Sequence, residues 1–158
     1  MAIDYAKGLS DNPIIQVVSG TTTTSASTSS STFQNGLALN ITPHNSSNKI
    51  IVMGTGVISM GGGSTMGGII RILRSISATG NEHNVSGTGS YGHYFCGATN
   101  YDMDIAGNGF IFLDDPSTTN QVTYTQQYRT EHHTVYYNKK QYAQRPAKAS
   151  FVLIEIVA

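Results

Sequence analysis

Histidines and carboxylates are the side chains best equipped for chemistry in this sequence, and they are few: five His, and nine Asp and Glu together. Glu131-His132-His133 is the densest run. Neighbours on a strand point to opposite faces, so the run alone offers a metal ion at most two ligands. A site would need His93, Asp102 or Asp104 brought in across strands, or one His from each copy meeting at a three-fold axis. Hydrogen-bonded or solvated imidazoles explain the same residues more simply. Asp102 and Asp104 are spaced to share a face and could act as a glycosidase acid and base. Such pairs normally flank clefts rich in aromatics, and Trp is absent. No Ser or Thr sits in a G-x-S-x-G elbow. Cys96 follows Phe95 in an apolar run and reads as a small buried hydrophobe rather than a reactive thiolate. Gly87-Thr88-Gly89-Ser90-Tyr91-Gly92 has the glycine spacing of a dinucleotide loop. It leads into His93-Tyr94-Phe95-Cys96, which looks like a strand, whereas such a loop must open a helix whose amides hold pyrophosphate. The chain is expected to be non-catalytic, with no cofactor and no metal ion.

Tyrosine is the informative residue type. Of nine Tyr, most fall in the second half, among Asn, Gln and Thr. Tyr presents a large rigid face and a hydroxyl at low conformational-entropy cost, which suits recognition surfaces. Such rings can stack on sugars while neighbouring amides bond the hydroxyls. The expected ligand- or receptor-facing set is Tyr91, Tyr94, Tyr101, Tyr124, Tyr128, Tyr136 and Tyr137. Any single ring could equally be a cross-strand packing partner.

The elements that position these residues must be strands. The chain has 158 residues, enough for one domain with a real core. Lys and Arg total nine against nine Asp and Glu, and charged residues are only 11%, under half the usual share of about a quarter. A broad basic surface for nucleic acid is therefore excluded. The single Cys excludes a disulfide framework. No apolar run is long enough for a membrane-spanning helix, and residues 1–13 lack the apolar core of a secretory signal. A neutral, hydroxyl-rich surface without an export signal fits a protein that folds in the cytoplasm and leaves the cell inside an assembled particle. The Asn-x-Ser/Thr triplets at Asn40, Asn45 and Asn84 are then products of composition.

Helical periodicity is almost absent, and short β-prone runs bounded by Gly, Asn, Asp or Ser recur. Strands are expected at Ile14–Ser19, in part of Thr22–Phe33, and at Leu37–Thr42, Lys49–Met60, Gly68–Ser77, Asn84–Ser86, Tyr91–Cys96, Phe110–Leu113, Gln121–Thr130, Thr134–Tyr137 and Ser150–Val157. Leu37, Leu39 and Ile41 share one face; so do Val122, Tyr124, Gln126 and Tyr128. The final strand is apolar on both faces except for Glu155, so both faces should be covered, by a second sheet or by another subunit. Asn35-Gly36 has the composition of a type I′ turn. The spacing points to an antiparallel, all-β sandwich over residues 14–158, preceded by an arm at 1–13.

The ordered series Ile14-Ile15-Gln16-Val17-Val18, a Ser/Thr stretch, Thr32-Phe33-Gln34-Asn35-Gly36-Leu37-Ala38-Leu39-Asn40-Ile41-Thr42-Pro43 and Ser46-Ser47-Asn48-Lys49-Ile50-Ile51-Val52 resembles tail-fibre-type structural proteins of tailed bacteriophages, common in phages of aquatic bacteria including cyanobacteria. Arg71-Ile72-Leu73-Arg74, Phe110 to Thr119, Val122-Thr123-Tyr124, Asn138 and Ser150 to Ile156 follow in order. The resemblance spans nearly the whole chain from Ile14. It implies a jelly-roll-like sandwich, assembled as a homotrimer and displayed on the virion without catalysis. Members often end a longer fibre; here the short arm, with Asp4, Tyr5, Leu9 and Pro13 as contact residues, would instead dock on another tail or capsid protein. The expected role is a tail fibre or fibre tip touching host-surface glycan. A capsid decoration protein is the alternative, followed by a lectin-like module or a small depolymerase. No nucleic acid and no membrane insertion are expected.

Overall fold

The computed structural model describes residues 13–61, 67–77, 82–84, 93–95, 103–139 and 147–157. Every regular element among them is a strand: β1 (Ile14–Thr22), β2 (Ala26–Thr28), β3 (Gln34–Ile41), β4 (Lys49–Gly61), β5 (Gly67–Ile76), β6 (Glu82–Asn84), β7 (His93–Phe95), β8 (Met103–Asp114), β9 (Val122–His132), β10 (Thr134–Tyr137) and β11 (Ala149–Ile156). All pairings are antiparallel. No helix among the described residues is long and apolar enough to cross a membrane.

The strands form two sheets. In the first, β4 is the shared member. β8 pairs along one edge of it, from Ile50 to Met60; β11 takes Lys49–Thr55 and β10 takes Ile58–Gly61 on the other. β1 continues the sheet beyond β11, and β2 continues it beyond β10. The second sheet runs β3–β9–β5, with β6 and β7 on different halves of the remaining edge of β5. The chain passes from the second sheet to the first at His133, whose φ of 61° makes the corner between β9 and β10.

Alternation decides what lies between the sheets. Ile41, Ile72, Val122 and Tyr124 from the second sheet meet Ile50, Val52, Phe151 and Leu153 from the first. A second cluster joins Ile58, Met60, Val135, Tyr137 and Ala149 to Ile70 and Tyr128. Phe110 meets Phe151 edge to face, with centroids 5.6 Å apart. The faces read from Leu37, Leu39 and Ile41, and from Val122, Tyr124, Gln126 and Tyr128, all turn inward.

Two local expectations need correction. Asn35-Gly36 does not turn the chain; both residues lie inside β3, where the register against β9 shifts between Asn35 and Ala38. Gly36 is required there by close approach: a Cβ would sit 2.7 Å from Cζ of Tyr137. The strand expected at Phe110–Leu113 is longer, beginning at Met103, because β4 offers it a long partner. Of the Thr/Ser-rich stretch, Thr22 ends β1 opposite Ala149 and Ala26–Thr28 pairs with β10.

Tyr137 also anchors a buried polar relay. Its hydroxyl donates to Gln126 Oε1 at 2.8 Å and accepts from Leu37 N at 3.1 Å, and its ring stacks on Tyr128 at 4.8 Å with an interplanar angle of 6°. Tyr137→Phe keeps the stack but strands both partners. Leaving buried polar groups unpaired costs about 1–3 kcal/mol each, so urea unfolding should show a loss of roughly 2–6 kcal/mol. Gly36→Ala should cost about 1–3 kcal/mol by overpacking against the same ring.

Candidate functional site

The tyrosines divide by strand face. Tyr124, Tyr128 and Tyr137 are 0%, 3% and 3% exposed, so the expectation that they face a ligand is corrected: their positions on β9 and β10 point between the sheets. The Tyr124 hydroxyl donates to Asp114 Oδ2 at 2.6 Å. Arg74 Nη1 reaches both oxygens of Asp114 at 2.9 Å and the Asp115 carbonyl at 3.1 Å. Burial, then the neighbouring Asp114 charge, pushes the Tyr124 phenol far above its ordinary value. These groups tie β5 and β9 of one sheet to the end of β8 in the other. Tyr136 points away from this interior; it is half-buried, with Lys139 Nζ 5.6 Å from its ring centroid. Tyr94 sits in β7 opposite Ile69, its side chain outside the described set. Tyr91 and Tyr101 lie outside the described residues.

Of the arm residues, Asp4, Tyr5 and Leu9 also lie outside them. Pro13 is exposed, and its carbonyl accepts from Val157 N at 2.9 Å, extending the β1–β11 ladder. Asp102 is outside the described residues, and Asp104 pairs by its backbone with Ser59 in the β4–β8 ladder. His132 and His133 are exposed. No group of three metal-ligating side chains converges among the described residues.

Glu155, the polar exception on the last strand, is fully buried. Asn48 Nδ2 donates to its Oε1 at 2.6 Å and His44 N at 2.7 Å, while Gln16 Nε2 donates to Oε2 at 2.6 Å. His44 Nδ1 lies 2.9 Å from Oε2, with its ring largely in solvent. Burial opposes the charge, but the bonds from Asn48, His44 and Gln16 outweigh it and hold the carboxyl down to about 2. With its oxygens occupied, this carboxylate clamps β1 and the 42–48 loop onto β11.

The two outer sheet faces differ sharply. On the first sheet, cross-strand register aligns Val17, Ile154, Ile51 and Leu113 in one row, and Ser19, Val152, Met53 and Ile111 in the next. Val17, Leu113 and Ile111 are 57%, 60% and 68% exposed. A shallow groove of about 420 Å³ runs between Met53, Ile111 and Val152. No charged side chain interrupts either row.

On the second sheet the outer face is polar. Thr123 donates to Asn40 Oδ1 at 2.8 Å. Arg71 Nε donates to Gln127 Oε1 at 2.7 Å, and Gln127 Nε2 donates to Asn35 Oδ1 at 2.7 Å. The Arg71 guanidinium lies 3.8 Å from the Phe33 ring centroid and that of Arg129 lies 5.1 Å from it. Arg129 Nη1 donates to the Ser31 carbonyl at 3.3 Å, and Nη2 is 3.5 Å from Glu131. Ser31, Thr32, Phe33, Arg71, Gln127 and Arg129 line a concavity of about 410 Å³. Sequence reasoning missed this group because its members come from three separate segments. A smaller cleft of about 260 Å³ between β2 and β3 is walled by uncharged residues and touches Tyr137.

The Glu155 clamp makes stability depend on acid in a defined direction. Its folded titration point, about 2, is below the reference value of 4.5, so its contribution is complete above about pH 5 and is lost as pH falls toward 2. Thermal unfolding between pH 2 and 7 should show that loss in the wild type. Glu155→Gln, which substitutes an amide for one charge-assisted acceptor, should cost roughly 2–4 kcal/mol at neutral pH and flatten the acid limb. No protein-family model matches this chain, and no curated protein matches it in sequence.

Proposed function

We propose that this chain is a subunit of the surface apparatus of a tailed-bacteriophage particle. It assembles as a jelly-roll-like homotrimer and acts as a tail fibre or fibre tip that contacts host-surface glycan. The observation that carries the reading is the pair of uncharged rows on the outer face of the first sheet. Strand spacing and rise over four strands and seven residues give a footprint of roughly 19 by 23 Å, about 440 Å² before side-chain relief. Contiguous exposed apolar patches beyond a few hundred Å² mark interaction surfaces. No charged side chain interrupts its two central rows. Copies packed around a common axis bury Val17, Ile111 and Leu113, which a lone subunit leaves in water.

The ordered resemblance to fibre-type proteins supplies the particle context, and the neutral, hydroxyl-rich composition fits a protein exported by assembly. The reading assigns no catalysis; two of the described carboxylates, Asp114 and Glu155, are held by donors from Arg74, Tyr124, Asn48, His44 and Gln16.

Light scattering and native mass spectrometry should report a trimer at micromolar concentration. The double variant Val17→Glu, Leu113→Glu should be monomeric, with at least a hundredfold weaker association and an unchanged far-ultraviolet spectrum. Purified virions should contain the chain, and the free protein should block adsorption. Particles that lack it yet adsorb normally, and that lose resistance to osmotic shock, would assign it to the capsid as a decoration protein instead. A stable monomer absent from particles would sink both.

A further inference from the structure

We propose that the gap at Gly109, on the outer face of the first sheet, is a socket for the Ile111 side chain of a second copy of this chain. This rests on the assembly reading above and names the residues through which the copies engage.

Glycine inside a strand weakens it, and often marks a place where another group approaches closely. Several strand glycines have such a neighbour within the subunit. A Cβ on Gly20 would strike Leu39 at 2.5 Å, one on Gly36 would strike Tyr137 at 2.7 Å, and one on Gly54 would strike the Ser150 carbonyl at 2.5 Å. Gly109 differs. No atom of the described residues lies within 4 Å of where its Cβ would stand, and its φ is outside the left-handed region. The register shift between β4 and β8 falls at Gly56–Ile58, beyond the regular pair Thr55–Gly109. The subunit has room for a side chain at this position and does without one.

The rows give the gap its shape. Thr21, Ser150, Thr55 and Gly109 form the outward row next to Ser19, Val152, Met53 and Ile111. The missing side chain leaves the end of that row open, as part of the groove of about 420 Å³. Met53, Val152 and Ile111 wall it, and the Thr55 and Ser150 hydroxyls, bonded to each other at 2.9 Å, edge it. Two residues on, about 7 Å along the strand, Ile111 projects from the same face. It is 68% exposed, more than any other large hydrophobic among the described residues. Strand β8 thus carries a knob and a socket side by side. In a closed ring each copy gives its knob to the next and receives one in return.

Charge and area select the occupant. No charged side chain lines the groove. Lys49 and Asp115, at the margin of the rows, are paired with each other, so a charged partner finds no free counter-ion in them. The face measures roughly 440 Å² when flat, against about 800 Å² per partner in a standard stable interface. A bound peptide strand would cover only part of it. A second copy brings two equally uncharged rows. Knobs seated in sockets add buried surface beyond the flat footprint, and a ring gives every subunit two such contacts.

The test is analytical ultracentrifugation and native mass spectrometry of the full chain and three variants. Gly109→Leu fills the socket without displacing a described atom. It should keep the far-ultraviolet spectrum and weaken association at least a hundredfold. Ile111→Ala trims only an exposed side chain, so the subunit stays folded, and it should weaken association at least tenfold. The double variant Gly109→Leu, Ile111→Ala gives the new leucine the space the knob has vacated. It should associate at least tenfold more tightly than Gly109→Leu alone, a coupling that direct contact produces and a general loss of apolar surface does not. Wild-type association of Gly109→Leu or of Ile111→Ala, or a double variant no tighter than Gly109→Leu, would each overturn the proposal. A wild-type trimer indifferent to both substitutions refutes the socket and leaves the assembly reading standing. A wild-type dimer that Gly109→Leu splits keeps the socket and refutes the trimer, and a wild-type monomer refutes both.

Discussion

Strand β4 is hydrogen-bonded along both edges, to β8 on one side and to β10 and β11 on the other, and this double pairing constrains the rest of the molecule. A strand in that position has neither edge in water, so its side chains alone decide what its sheet presents. Ile50 and Val52 go to the interior, while Ile51 and Met53 go outward. Its neighbours follow the same pattern, and the register places Ile154 and Leu113 on either side of Ile51. The outer rows are thus a collective property of four strands. Any one of them read alone would pass for an ordinary buried strand.

Polar groups inside the sandwich are few, and each ties segments that alternation alone would not fix. Asp114 with Arg74 and Tyr124 closes one inter-sheet seam. Gln126 with Tyr137 joins the sheets elsewhere, and the Gln126 amide reaches the Thr55 and Ser150 carbonyls at 3.5 and 3.4 Å. Glu155 fixes β1 and the loop before β4 to β11. An apolar core tolerates sliding; a buried charge with several donors does not, because losing one leaves the charge under-solvated. Register between strands far apart in sequence is therefore set by these polar contacts together with the hydrophobic alternation.

The all-strand character and the approximate positions of the strands were legible because alternation and turn residues are local signals. The oddity of Glu155 within an apolar strand was legible too. Other features were not. Asn35-Gly36 carries turn chemistry, yet the chain runs straight through it because the neighbouring Tyr137 ring needs the space a side chain would fill. The tyrosines of β9 looked like a recognition surface from composition; their parity along the strand, which puts them with Val122, already placed them on the apolar side. The arginine concavity has no local signature at all. Its residues come from the 31–33 segment, β5 and β9, and only the pairing of β5 with β9 brings Arg71 opposite Gln127.

The pairing of β1 with β11 sets a schedule for biogenesis. Residues 14–22 find their strand-pairing partner in residues 149–156, so the ribosome must deliver nearly all the described chain before the first sheet can close. Contacts that distant in sequence slow the search for the native state. The outer apolar rows are therefore complete only once β11 has joined β1 and β4.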